Sequence, residues 1–340
     1  MKKLVTSTIT LLSLWALFSC TRRQQYDGEY SCESVEIEVI VDWSNSGITP
    51  SDTLDSDYVH MVSVRFFPLD GSKAFDRYLQ SNIYHGVIDV PVGEYSVVVY
   101  NESIDDPYWS DTFTFEDTND YDLFAAKIVE HDESLYSFYE KQEEEKLSNE
   151  ALKLASWSMD YFCVSSAMAT GMGMNKQDQN MMEALKEVAL RKLTTYTTIT
   201  VEVENLASAS TIHASLKGLS EVVYLATGET SSSPVTHIIP LSDITWYGTD
   251  SQHGEISEQR LTFTTLNVES DYSLELDILF VDGSRYDPEE VLIYDITDQI
   301  TGVSKYADDE LSATVAVSLP EINSGIDVEQ WGDEQEIIIK

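Results

Sequence analysis

Between Tyr272 and Phe280 every second residue is apolar. Tyr272, Leu274, Leu276, Ile278 and Phe280 alternate with Ser273, Glu275 and Asp277. Successive side chains of an extended chain point to opposite faces, so this pattern specifies a half-buried β-strand. The period recurs in Val35, Ile37, Val39, Val41 and Trp43, set against Glu36, Glu38 and Asp42. It returns in Thr195, Thr197, Ile199, Val201 and Val203, and in Leu311, Ala313, Val315, Val317 and Leu319. Runs over 59–67, 83–90 and 94–100 lie between turn signals at Pro68-Leu69-Asp70-Gly71-Ser72 and Pro91-Val92-Gly93. Shorter runs stand at Val222–Leu225 and His237–Ile239. Many short strands spaced by turn residues predict an all-β sandwich. An Asp-Gly-Ser follows an alternating strand once in each half, at Asp70 and at Asp282, which hints at two related folds.

The middle of the chain breaks this pattern. Leu147, Ala151 and Leu154 fall at helical spacing, as do Met181, Leu185 and Val188, with Asn180 as the expected N-cap and Glu183 three residues on. Two short amphipathic helices are therefore expected as insertions, with Trp157 to Val164 as a strand between them. Gly171-Met172-Gly173-Met174 lacks the frame of a phosphate loop.

The N-terminus sets the address. Lys2 and Lys3 precede the apolar run Leu11–Phe18, which is shorter than the roughly 20 residues a membrane span requires. It reads as a secretion signal. The segment ends in Leu17-Phe18-Ser19-Cys20, which resembles the bacterial lipobox. That implies cleavage between Ser19 and Cys20 and acylation of Cys20, with palmitate among the chains and the outer membrane as the anchoring surface. A plain signal peptide with an incidental Cys20 is the alternative. Residues 21–33 have no apolar period and read as a tether. The expected organisation is a signal peptide over 1–19 and a lipidated tether over 20–33. A β-sandwich domain with helical insertions follows over 34–190, and a second β-sandwich over 191–340.

Charge excludes one class of partner. The chain carries 20 basic and 60 acidic residues, a net charge of −40, which repels nucleic acid phosphates. It leaves cationic partners open, beside plain solubility through self-repulsion. The acids Glu102, Asp105, Asp106, Asp111, Glu116, Asp117, Asp120 and Asp122 crowd one stretch. They match no EF-hand spacing, and a solvated acidic loop is expected there in preference to a calcium site. The six histidines are far apart and no G-x-S-x-G elbow is present. No catalytic residue, metal ligand or cofactor site is expected, and no enzyme. Cys32 and Cys163 remain besides Cys20, and their spacing says nothing about pairing. The 19 tyrosines suit either sandwich cores or a sugar-binding platform.

The order of these motifs resembles a known family. The Cys20 lipobox, Val41-Asp42-Trp43-Ser44, Val64-Arg65-Phe66-Phe67-Pro68-Leu69-Asp70-Gly71-Ser72 and Val90-Pro91-Val92-Gly93-Glu94-Tyr95 are similar to stretches of the fimbrillin-like lipoproteins of Bacteroidales. In the second half, Arg191-Lys192-Leu193-Thr194, Leu216-Lys217-Gly218-Leu219-Ser220 and Trp331 look similar too. The resemblance implies two tandem transthyretin-like Greek-key sandwiches and a fimbrial role as anchor, accessory or stalk subunit supporting adhesion. It implies other fimbrial subunits as partners, joined by strand exchange, and a host or bacterial surface glycan or protein as ligand. Strand addition supplies ladder hydrogen bonds and a side-chain register. The candidate strands are Val35, Ile37, Val39 and Val41, and the terminal Ile337, Ile338 and Ile339. Family subunits that polymerise are activated by cleavage after an arginine, for which Arg65 and Arg77 are candidates by position alone. The alternative reading is a glycan-binding outer-membrane lipoprotein.

Overall fold

The computed structural model describes residues 33–50, 59–80, 82–104, 112–130, 146–148, 152–231, 233–239, 244–246, 253–263, 271–280, 282–284, 292–298 and 311–320. The first half runs β1 (Ser34–Asp42), β2 (Val62–Pro68), β3 (Phe75–Leu79), β4 (His85–Pro91), β5 (Gly93–Tyr100), β6 (Phe113–Glu116), β7 (Ala125–Ile128), β8 (Leu147–Ser148) and β9 (Ala155–Val164). Two helices follow, α1 (Ser166–Thr170) and α2 (Lys176–Ala184), then β10 (Val188–Ala189). The second half runs β11 (Arg191–Lys192), β12 (Thr194–Glu204), β13 (Ala209–Ser220), β14 (Val222–Tyr224), β15 (Pro234–Ile239), β16 (Ile244–Trp246), β17 (His253–Phe263), β18 (Ser273–Phe280), β19 (Leu292–Asp295) and β20 (Leu311–Ser318). The protein is mostly β, as the two-residue period predicts.

Each half stacks a small sheet on a large one. The order is β10-β1-β4 over β11-β9-β5-β2-β3 in the first half, and β16-β17-β12-β20 over β19-β18-β13-β15-β8 in the second. The two halves share a plan. The first strand of each, β1 or β12, lies between an antiparallel partner, β4 or β17, and a parallel one, β10 or β20. The second strand, β2 or β13, lies between two antiparallel neighbours, β3 and β5 or β15 and β18.

The two Asp-Gly-Ser turns do not mark this repeat. They share one geometry: Asp70 Oδ1 accepts the Ser72 N–H at 2.9 Å and its hydroxyl at 2.5 Å, and Asp282 Oδ1 accepts the same groups of Ser284 at 2.8 and 2.5 Å. Yet the first turn follows β2 and the second follows β18, the counterpart of β5 rather than of β2. An Asp side chain that caps its own turn serves any strand end, so the motif reports local chemistry and not descent.

The inward faces account for the alternation. Val35, Ile37 and Val39 of β1 meet Val62, Val64 and Phe66 of β2 and Val97 and Val99 of β5 in one core. Each such side chain contributes about 1.5–3 kcal/mol on burial. β2 is buried along both faces. Its far face carries Arg65 and Phe67, roofed by the β6–β7 hairpin through Phe124 and Ala126. β7 then pairs with β14, and β8 with β15, so the second half is stitched to the first by two ladders.

The helical expectation is corrected in two places. Leu147 and Leu154 are not on one helix. Leu147 is in β8, parallel to β15, and Leu154 lies in irregular chain where its N–H donates to Thr194 Oγ1 at 2.8 Å. Both leucines are buried, but by different neighbours, so their spacing is a coincidence. The second helix starts at Lys176, with Asn175 rather than Asn180 as its cap. Asn175 Oδ1 accepts the N–H groups of Gln177 and Asp178 at 2.7 and 3.0 Å, and Asp178 Oδ2 accepts the Asn175 N–H at 2.9 Å. That reciprocal box satisfies the free donors of the first turn.

Candidate functional site

The predicted strand-exchange residues of the first half lie side by side in β1. Val35, Ile37, Val39 and Val41 point inward, at most 6% exposed. Ser19, Cys20 and Ile337–Ile339 lie outside the described residues, as does Cys32. Cys163 is half-buried in β9.

What sets β1 apart is its hydrogen bonding. The Val41 N–H donates to Tyr84 O at 2.9 Å, and Glu33 O accepts the Val92 N–H at 2.9 Å. These bonds frame the antiparallel pairing of Ser34–Ile40 with β4. Antiparallel ladders alternate, so the odd-numbered backbone groups of β1 face β4 and the even-numbered groups face the other edge. On that edge the parallel strand β10 pairs only with Val41 and Asp42. The Ile40 N–H reaches Leu185 O at 2.9 Å. The backbone groups of Glu36 and Glu38 face a stretch with no strand partner among the described residues. The counterpart β12 is different, because β20 pairs with it from Thr197 to Glu204.

Both helices approach β1. Met168 and Leu185 join the core of Val35 and Ile37. Ser165, the cap of α1, donates its hydroxyl to Asp178 of α2 at 2.8 Å, which ties the two helices together. Glu38 lies within 2.8 Å of His85 and 3.2 Å of Lys186. The hydrogen bond from His85, then that from Lys186, holds the Glu38 carboxyl below the usual carboxylate range. Asp42 is lowered in the same way by Ser44.

The arginines separate clearly. Arg65 is 2% exposed in the middle of a central strand, so no protease reaches it in the folded chain, which corrects its candidacy for cleavage. Its Nη1 meets Asp76 Oδ2 at 2.5 Å. Arg77 lies on the edge strand β3, stacked over Phe75 at 4.7 Å, with Nε donating to Asp89 O at 2.6 Å. Among the described residues no three or more His, Cys, Asp or Glu are arranged to hold a metal ion. In the acidic stretch, Asp120 Oδ1 accepts the Asp122 N–H at 3.1 Å and so caps its own turn. Exposed Tyr78, Tyr84 and Tyr161 belong to three separate segments, β3, the chain before β4, and β9. Among the described residues no helix is long and apolar enough to cross a membrane.

The alternation of β1 is legible in the sequence, but the edge that lacks a strand partner among the described residues is not. The one available signal was the brevity of the Val188–Lys192 segment, too short to line β1.

A family model described as a domain of unknown function, DUF5119, matches residues 19–240. No curated protein matches the chain. Two candidate adhesins from Bacteroides ovatus share its fold. One has a TM-score of 0.54 at 19% identity, covering 89% of this chain and 98% of the other. The second has a TM-score of 0.51 at 14% identity, covering 86% and 90%. The fimbrial anchor protein Mfa2 from Porphyromonas gingivalis is also similar, with a TM-score of 0.46 at 11% identity over 83% and 90% of the two chains.

Proposed function

The chain belongs to the DUF5119 family, and from that premise we propose that it is a cell-surface adhesion protein, a lipid-anchored accessory or anchor subunit of a fimbrium. Two Bacteroides ovatus candidate adhesins with the same fold support an adhesive role. The order of motifs that resembles the fimbrillin-like lipoproteins supports the fimbrial setting. In this reading Cys20 carries the lipid and residues 21–33 hold the folded part off the membrane. The halves, divided at residue 190, are tandem transthyretin-like sandwiches. Their common strand order supports that division.

The observation that carries the reading is the inequality between β1 and β12. Among the described residues, the second half fills the place beside its first strand with a parallel strand along Leu311–Ser318, and the first half fills it for two residues. A strand from another subunit, set beside Ser34–Val39, completes the first sheet on the plan of the second. Ladder bonds to Glu36 and Glu38 supply affinity, and the alternation of β1 supplies register. The role is binding and not turnover.

The test is fractionation. Outer membranes and sheared surface filaments are probed for this chain with Cys20 intact and with Cys20→Ala, alongside labelling by a palmitate analogue. The reading expects label on the intact chain, recovery with filaments, and loss of membrane retention in the variant. An unlabelled chain absent from filaments overturns it.

A further inference from the structure

We propose that the two halves are one cooperative unit, locked by a clasp built around the backbone carbonyls of Leu225 and Ala226. Two halves joined in tandem ordinarily keep freedom to move against each other, because interfaces within a chain are small and polar. Here the joint is of another kind.

The connection after β14 lays two successive carbonyls across the first half. Leu225 O accepts the Ser156 hydroxyl at 2.7 Å and Arg191 Nη2 at 3.3 Å. Ala226 O accepts the Ser158 hydroxyl at 2.6 Å and the same Nη2 at 2.6 Å. A carbonyl has two lone pairs, and at both positions both are used. The donors come from β9, in the large sheet of the first half, and from β11, which pairs with β9 at Ala155 and Ser156. Arg191 opens the second half but is tied to the first by the pairing of β11 with β9, and so holds the Leu225–Ala226 carbonyls against that sheet.

Ladders extend the grip on either side. Val222–Tyr224 runs antiparallel to Ala125–Lys127, flanked by bonds from Ile128 N–H to Glu221 O at 2.9 Å and from Leu225 N–H to Phe124 O at 3.0 Å. In the reverse direction the first half lends β8 to the second, where the Thr236 N–H donates to Lys146 O at 2.8 Å. Each half therefore supplies a strand to a sheet of the other. Phe124, Ala126, Ile128 and Leu154 share one continuous core with Leu193, Val223 and Leu225. Opening the joint exposes that core and strands the two carbonyls together, so neither half loosens alone.

The test is urea unfolding of the full chain, followed by hydrogen exchange in peptides from β1–β5 and from β12–β18. The proposal expects coincident midpoints for the two sets. In the triple variant Ser156→Ala, Ser158→Ala, Arg191→Ala the midpoints separate. Where the triple variant fails to fold, the pair Ser156→Ala and Ser158→Ala, which removes two hydroxyls only, is read in the same way. Separate midpoints in the unaltered chain overturn the proposal, and so do midpoints that stay coincident in the variants. Neither result bears on the adhesion reading, which the fractionation decides independently.

Discussion

Arg65, in the middle of β2, holds the backbone carbonyl of Thr118 with two donors, Nε at 2.8 Å and Nη2 at 2.5 Å. The carbonyl belongs to the turn that closes the β6–β7 hairpin, where Asp117 takes a φ of 49°. The guanidinium sits 5.7 Å from the Phe67 ring centre and 5.3 Å from that of Phe124. One buried side chain therefore nails the hairpin roof onto the large sheet and pairs with Asp76 besides.

Arg65→Met is expected to destabilise the chain by about 3–5 kcal/mol, because it leaves the buried Asp76 carboxylate without its cation. Arg65→Lys should recover little, since a single ammonium cannot replace a fork that spans Thr118 and Asp76. Urea denaturation measures both. Hydrogen exchange should rise first across 113–128. A loss under about 1 kcal/mol, of the size a surface pair gives, would falsify the assignment.

Acidification should loosen the joint between the halves through Glu221. Burial alone raises this carboxyl, but hydrogen bonds and charges from Lys146 at 2.7 Å and Lys127 at 3.4 Å outweigh it and hold the group below the usual range. A lowered acid stabilises fully above its unfolded value, about 4.3, and loses that contribution as pH falls through the folded value. The thermal midpoint should therefore drop on acidification below about pH 4.5, and less steeply in Glu221→Gln. Parallel pH profiles for the two chains would remove Glu221 from the account.

Gly218 and Gly71 both have positive φ, +91° and +79°, yet their substitution by Ala should cost different amounts. A Cβ on Gly71 meets nothing within 4 Å, whereas on Gly218 it falls 2.4 Å from Asp271 O. Gly71→Ala carries the left-handed penalty alone, about 1–2 kcal/mol. Gly218→Ala must also push apart the β13 bulge, where the register slips between Leu216 and Leu219. Equal midpoints for the two variants would show that the bulge yields freely.

Much of the architecture is written in the two-residue period, and the exceptions have physical causes. β1 and β18 read cleanly because one face of each meets solvent. β2 reads as a run, since the hairpin roof buries its second face, and nothing local announces a roof more than 40 residues away. Arg65 is a cleavage candidate by position alone, and an arginine among apolar residues shows no partner in the local sequence. Asp76 and Thr118 become its partners only when two strands and a turn converge. The Asn175–Asp178 box is present in the sequence, but the helical spacing of Met181, Leu185 and Val188 points to Asn180 instead. The edge of β1 without a strand partner among the described residues is a property of its neighbours, so no pattern within Ser34–Asp42 encodes it.

That edge yields the last prediction, which turns on the direction of one N–H group. Glu36 stands opposite Asp89, but its backbone groups face away from β4, because the odd-numbered residues make that ladder. Proline there removes only a donor that has no strand partner among the described residues. Proline is tolerated in strands where its missing N–H would face outward. Glu36→Pro should therefore retain the fold, with a loss of about 1 kcal/mol from the narrowed φ, and should abolish any strand added at this edge. Ile37→Pro, one residue on, removes a bond to β4 and buries the mismatch, and should cost about 3 kcal/mol or more. Circular dichroism with thermal melting ranks the two variants for stability, and recovery with surface filaments ranks them for assembly. A Glu36→Pro chain that folds and still reaches filaments at the unaltered level would move the docking site away from β1. One that melts as early as Ile37→Pro would show that this edge already serves the fold.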